Sequence, residues 1–291
     1  MYNGAVPVRL IAIDIDGTLL DSRWELPEVN RAAVAEAMGR GIDVALVTGR
    51  RFDFARSIFS LLPPEVTLIV NNGAIIKSSD GTTHLRHLLD REIARQVLDA
   101  TREFRSGAAV VFDRPRENQV IWEVLDYSDP GRRAYFERNL EFLAQVAPLE
   151  DCLTEDPIQV MFSGRVAPTR ACEAVLRAMP LASRFALAVT LYEQRDFGLV
   201  DVMHPAVSKG AALAEWARVR GLDRSEVMAI GDNLNDLEML EYAGVPVVMG
   251  NAVAELKGNG WRVTLSNDEG GVAAAIHQYA LGKQGNPGQE C

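Results

Sequence analysis

The sequence is poor in cysteine, with three thiols in 291 residues: Cys152, Cys172 and Cys291. None forms a CxxC pair and none has a histidine at metal-ligand spacing, which argues against a disulfide scaffold or a thiolate zinc site. Reduced thiols and a cytoplasmic location are expected. Basic residues are also in deficit, with 30 Lys and Arg against 40 Asp and Glu and a formal net charge of −10. Nucleic acids and anionic membrane surfaces need a basic face to neutralise their phosphates, so neither is an expected partner. A small anionic substrate needs only a local positive centre and stays open. No apolar run is long enough to span a bilayer, and no basic stretch followed by an apolar one marks a signal peptide at the N-terminus. Internal repeats and heptads are absent.

What is present is apolar residues in quantity, 48% of the chain, sufficient for one large core or two modest ones. Val8 to Ile13, Ile42 to Val47 and Val66 to Val70 are short apolar runs that end abruptly in DIDGT, TGR and NNGA. Helical patterns over 27–38 and 52–62 separate them. Strand, helix, strand in alternation predicts a parallel sheet covered by helices. From about Leu85 to Leu191 the rhythm changes. Ala108 to Phe112 and Val120 to Val124 flank a charged segment as a hairpin would. Ile158 to Phe162 and Phe185 to Val189 are further strands. Near Gly198 the alternation returns, with a helix over Lys209 to Val219 and strands over Val227 to Ile230, Val245 to Met249 and Arg262 to Leu265. The expected fold is an α/β, doubly wound core over 1–84 and 192–281, an α+β insert over 85–191, and a flexible tail over 282–291.

The polar residues that matter sit at strand ends. Asp14 and Asp16 are two apart in extended chain, so both carboxylates face one spot just outside the sheet. Alone, such a pair is also a common turn cap. Thr48, Gly49 and Arg50 follow the second strand, where a hydroxyl and free N–H groups can hold phosphate oxygens. Lys209 opens a helix. Asp232, Asn235 and Asp236 follow a later strand on one helical face, and two acids with an amide suit a hard cation. Ligands of open α/β sheets bind beyond the carboxyl ends of the strands, where all four groups fall. His84, His87, His204 and His277 join none of them.

The stretches LIAIDIDGTLLDS, ALVTGR, NNGA, VSKGAAL, AIGDNLNDLEML, VVMGNA and SNDEGGVA resemble, in order, the motifs of the haloacid dehalogenase superfamily, and most of all its Cof-type sugar phosphatases. That resemblance implies a Mg²⁺-dependent phosphatase acting on a small phosphorylated metabolite, with the 85–191 insert as the cap that selects substrate. Asp14 would be the nucleophile and Asp16 the acid/base. Mg²⁺ would be held by Asp14, the backbone carbonyl of Asp16 and Asp232, with Asp236 supporting from behind. Lys209 and Thr48 would hold phosphate oxygens, with Gly49 in the same turn. Asn235 would contact the phosphate or orient Lys209, and Arg50 and Asn72 would face substrate. The chain departs from the family with Asn259-Gly260-Trp261 where an Ala-Asp pair is usual. A phosphosugar mutase and a non-catalytic phosphometabolite sensor are the alternatives.

Overall fold

The computed structural model describes residues 6–128 and 130–282. Strands β1 (Leu10–Asp14), β2 (Asp43–Val47), β3 (Thr67–Val70), β4 (Ile75–Ser78) and β5 (Thr83–Arg86) come first, with helices α1 (Glu28–Gly39) and α2 (Phe52–Phe59) between them. Helix α3 (Arg91–Ala100), β6 (Ala108–Val111), β7 (Val120–Trp122), α4 (Pro130–Asn139), β8 (Leu143–Gln145), β9 (Gln159–Gly164), α5 (Val166–Arg177), β10 (Ala186–Tyr192) and β11 (Phe197–Met203) follow. The chain then forms α6 (Lys209–Val219), β12 (Val227–Gly231), α7 (Leu237–Tyr242), β13 (Val245–Val248), α8 (Ala254–Lys257), β14 (Arg262–Val263) and α9 (Gly271–Ala275). The chain divides into two compact units, one built from residues up to Arg86 and from Ser208 onward, the other from His87–Val207.

The first unit is an eight-stranded sheet in the order β14-β13-β12-β1-β2-β3-β4-β5. Six strands run parallel, and β4 and β5 add an antiparallel hairpin at one edge. β1 lies at the middle. Its residues LIAID are buried throughout, as a strand covered on both faces by helices must be. This is the doubly wound α/β architecture expected from the alternating pattern. After NNGA the chain turns back, and Ile75 and Ile76 pair with Val70 and Ile69 of β3.

The second unit carries a six-stranded sheet, β10-β11-β9-β6-β7-β8. Helices α3 and α5 contribute Ile93, Val97, Cys172 and Leu176 to a core with Val110, Val160, Phe162, Val200 and Val202 of the sheet. This unit ends at Val207, later than the Leu191 that the sequence pattern marks. The segment GLVDVM, which that boundary assigns to the core, lies in β11 and pairs antiparallel with β10 and β9. A short apolar run does not reveal which sheet it joins. The expected flexible tail falls, beyond Gly282, outside the described residues, as does Cys291.

Candidate active site

Strand order reverses at β1. β2 follows on one side and β12, from the far end of the chain, lies on the other. Such a switch point leaves a crevice beyond the carboxyl ends of the strands. Asp14 ends β1, Asp232 directly follows β12, and Thr48 directly follows β2. Three separated sequence motifs thus converge because three parallel strands end at one level.

Lys209, the first residue of α6, points into this convergence. Its Nζ donates to Asp14 Oδ1 at 2.6 Å and to Asp236 Oδ1 at 2.6 Å. All three side chains are buried, with exposures of 2% for Lys209, 4% for Asp14 and 0% for Asp236. The other oxygen of Asp236 accepts the backbone N–H groups of Asp232 (2.9 Å) and Asn233 (3.1 Å). Both Asp236 oxygens are therefore engaged, which fits a residue that orients Lys209 and the turn after β12. Asp232 Oδ1 accepts from the Thr18 hydroxyl at 2.9 Å. Gly17 sits at φ +85°, and a Cβ there would lie 2.5 Å from Asp232 Oδ2. Only glycine allows the first acidic loop to approach the second this closely.

Asp16 takes a different partner. Arg50 grips both its oxygens, Nε to Oδ2 at 2.9 Å and a terminal nitrogen to Oδ1 at 2.6 Å. The Arg50 N–H donates to Thr48 Oγ1 at 3.1 Å, which leaves the buried hydroxyl its own proton to give. Asn72 lies buried at φ 55°, its N–H donating to the Thr48 carbonyl at 2.9 Å. Gly49 makes room for it: a Cβ at Gly49 would meet Asn72 Oδ1 at 3.0 Å. Asn235 is half-buried in the single turn Leu234–Asp236.

Asp14, Asp232 and Asp236 each contribute an oxygen to a set lying within 4.8 Å of one another. Burial, then the neighbouring Asp236, drives Asp14 well above the ordinary carboxylate range, while Lys209 opposes that rise. Asp232 is pushed up to about 7, again by burial and then by Asp236. Burial also works against the charge on Lys209, but Asp14 and Asp236 outweigh it and keep the ammonium charged. One cation among three carboxylates, two of them buried and Asp232 half-buried, leaves excess negative charge, and every donor is oxygen. That set fits a hard divalent cation and does not suit zinc. On the second unit, a concavity of about 930 Å³ bordered by Arg95, Arg105, Glu123 and Glu150 has no such combination of buried acids and a lysine.

Sequence reasoning missed the residues that hold the loop after β1. Asn251 Nδ2 donates to the Gly17 carbonyl at 2.8 Å, and Asn267 Nδ2 to that of Leu20 at 3.0 Å. Asn30 of α1 donates to the Leu19 carbonyl at 3.0 Å and accepts from Ala273 N–H at 3.0 Å. Each acts across the fold, and an isolated asparagine gives no local signal of such a role.

The family model for haloacid dehalogenase-like hydrolases matches residues 11–276. Phosphatase YwpJ of Bacillus subtilis is 31% identical over 91% of this chain and 98% of its own length. YwtE of the same organism, a 5-amino-6-(5-phospho-D-ribitylamino)uracil phosphatase, is 26% identical over 95% of this chain and 99% of its own. A solved haloacid dehalogenase-like hydrolase from B. subtilis superposes with a TM-score of 0.77 at 26% identity, covering 92% of this chain and 99% of the other.

Proposed function

Because the chain belongs to the haloacid dehalogenase-like hydrolase family, we propose that this phosphatase hydrolyses a small phosphate monoester, a sugar phosphate or similar metabolite, with Asp14 as nucleophile. The observation that carries the reading is the buried Lys209 bridging Asp14 and Asp236 beside Asp232. Binding a phosphate does not call for a buried carboxylate aimed at it.

Asp14 attacks phosphorus, a new O–P bond forms and the bond to the leaving oxygen breaks. Asp16, with one oxygen freed from the Arg50 guanidinium and protonated, gives the leaving oxygen its proton. In the second half, Asp16 takes a proton from water, the water oxygen bonds to phosphorus, and the aspartyl–phosphate bond breaks to free Asp14. Lys209, held as an ammonium, and the Thr48 hydroxyl hold the phosphate oxygens and offset charge in the transition state. Asn235, in the turn that also carries Asp236, would contact the phosphate or orient Lys209. The carboxylates of Asp14 and Asp232 and the backbone carbonyl of Asp16 would hold Mg²⁺. When bound, Mg²⁺ supplies the positive charge that lets an anionic nucleophile meet an anionic phosphate. Choice among metabolites is assigned to the second unit, since the reacting side chains all belong to the first. The phosphorylated polyol chain in the name of YwtE belongs to the same substrate class.

The test is a panel of phosphorylated metabolites with Mg²⁺, scored by free phosphate. Release by the parent protein, its loss with chelator and its loss in Asp14→Asn are the expected results. Transfer of phosphate to another hydroxyl without release would mark a mutase. Binding without turnover would mark a sensor.

A further inference from the structure

The loop that follows β1 is held by its carbonyls. Asn251 donates to that of Gly17 at 2.8 Å, Asn30 to that of Leu19 at 3.0 Å and Asn267 to that of Leu20 at 3.0 Å, each through its side-chain amide. The three ties are not equivalent. Asn30 and Asn267 are buried, and Asn30 also accepts from Ala273 N–H, so both belong to the packing of the fold. Asn251 is exposed. Its amide is oriented from behind: Asn267 N–H donates to Asn251 Oδ1 at 2.9 Å, which turns Nδ2 toward Gly17.

An exposed hydrogen bond exchanges with water and adds little to stability. It can still fix a direction, and Gly17 is where a direction is needed. Gly17 stands at φ 85° and ψ −1°. Only glycine fits so close to Asp232, yet glycine is also the residue least able to hold one conformation by itself. Its φ and ψ are the two soft angles between the Asp16 carbonyl and the Gly17–Thr18 peptide. The Asp16 carbonyl is assigned to Mg²⁺ above. Thr18 acts on a second ligand, since its buried hydroxyl donates to Asp232 Oδ1 at 2.9 Å. The peptide that Asn251 grips therefore lies between two parts of the metal site.

We propose that Asn251 is a positioning residue for the metal site: by holding the Gly17 carbonyl it fixes the Gly17 hinge, and with it the Asp16 carbonyl upstream and the Thr18 hydroxyl that orients Asp232 downstream. This rests on the assignment of Mg²⁺ to Asp14, Asp232 and the Asp16 carbonyl. No proton is gained or lost in the role, which concerns the direction of ligands alone. Without Asn251 the loop stays anchored at Leu19 and Leu20, and only its Gly17 end is loose. Metal affinity falls while the fold stays.

The experiment titrates Mg²⁺ alone into the parent, Asn251→Ala and Asn259→Ala by calorimetry. Melting temperatures in chelator and phosphate release from a hexose phosphate at rising Mg²⁺ accompany it. Asn259 is the control: it too is exposed and gives its amide to carbonyls, those of Glu255 and Leu256 in α8. Asn251→Ala should bind Mg²⁺ about tenfold more weakly. Its melting temperature in chelator should stay within about 3 °C of the parent's. Its kcat should return to within about twofold of the parent's once Mg²⁺ saturates, so that the loss appears as a higher Mg²⁺ requirement. Asn259→Ala should match the parent throughout. Unchanged Mg²⁺ affinity in Asn251→Ala overturns the proposal, as does an equal weakening in Asn259→Ala. An Asn251→Ala protein that does not fold, or melts about 10 °C or more below the parent in chelator, makes Asn251 a strut of the fold and overturns it too. A parent that binds no Mg²⁺ overturns the metal assignment and the proposal with it, whereas a parent that binds while Asn251→Ala binds equally overturns the proposal alone.

Discussion

At Asp232, burial and the Asp236 carboxylate raise the acid from its ordinary 3.8 to about 7. The folded state then binds a proton that the unfolded state has already released. Without metal, stability therefore falls as pH rises from about 4 to about 7. The melting temperature in chelator should decline across that window, and Mg²⁺ should restore it at neutral pH. Asp232→Asn keeps an oxygen for the Thr18 hydroxyl and removes the charge, so its metal-free profile should be flatter and its Mg²⁺ response lost. Calorimetry with and without chelator reads both. At Asp14 the same logic predicts that Asp14→Asn folds at least as well as the parent, while kcat falls by about a thousandfold or more. A folded Asp14→Asn with a tenth of the parental rate would remove Asp14 from its role. Gly17→Ala places a Cβ 2.5 Å from Asp232 Oδ2 at a φ of +85°. A loss of about 1–3 kcal/mol in urea unfolding is expected, together with weaker Mg²⁺ binding by titration calorimetry.

Among the elements, α6 has the strictest placement, because its first residue is Lys209. The Ser208 hydroxyl caps it, accepting from Ala211 N–H at 3.1 Å. Gly73, at φ +104°, lets the turn after β3 press against the Ser208 carbonyl, where a Cβ would come within 2.4 Å. Gly210 lets α6 lie against the start of α7, where a Cβ would lie 2.5 Å from the Glu238 carbonyl carbon. Gly210→Ala should thus displace the Lys209 ammonium. Its melting temperature should drop by several degrees, about 1–3 kcal/mol, with a fall in kcat beyond what the unfolded fraction accounts for. The strands whose ends carry Asp14, Thr48 and Asp232 were legible because β1, β2 and β12 are apolar runs cut off by polar motifs. The Lys209 helix was legible only through its motif. The tie from Asn251 to the Gly17 carbonyl was not legible, since it joins residues more than 200 positions apart. The sheet that β11 joins was not legible for a related reason. Strand character is local, whereas the choice of partner strand is settled by tertiary packing.

Over the whole molecule, each unit buries a core of its own. Leu10, Ile11, Ile13, Leu46, Leu68 and Ile69 are fully enclosed in the first, and the second encloses the cluster around Ile93, Val160 and Val200. Residues 87–207 expressed alone should therefore unfold in urea in one cooperative step. Cys152 and Cys172 belong to that second core, and burial pushes each thiol up to about 12. At pH 8 only about one thiol in 10⁴ is a thiolate, and access is closed as well. In a Cys291→Ser variant, both thiols should resist a disulfide reagent until urea unfolds this unit; rapid labelling of the native protein would contradict the packing. The first unit is written in two pieces, and this has a consequence during synthesis. β1 pairs on one side with β2, but its other neighbour, β12, leaves the ribosome more than 200 residues later. At ordinary elongation rates that is a delay of roughly 10–40 s. Throughout it β1, the strand that ends in Asp14, is an open edge, bare of its partner, while the second unit is already complete and free to fold. A nascent chain halted before Val227 should accordingly hold a protected second unit beside a protease-sensitive first one, with dependence on chaperones concentrated in that interval.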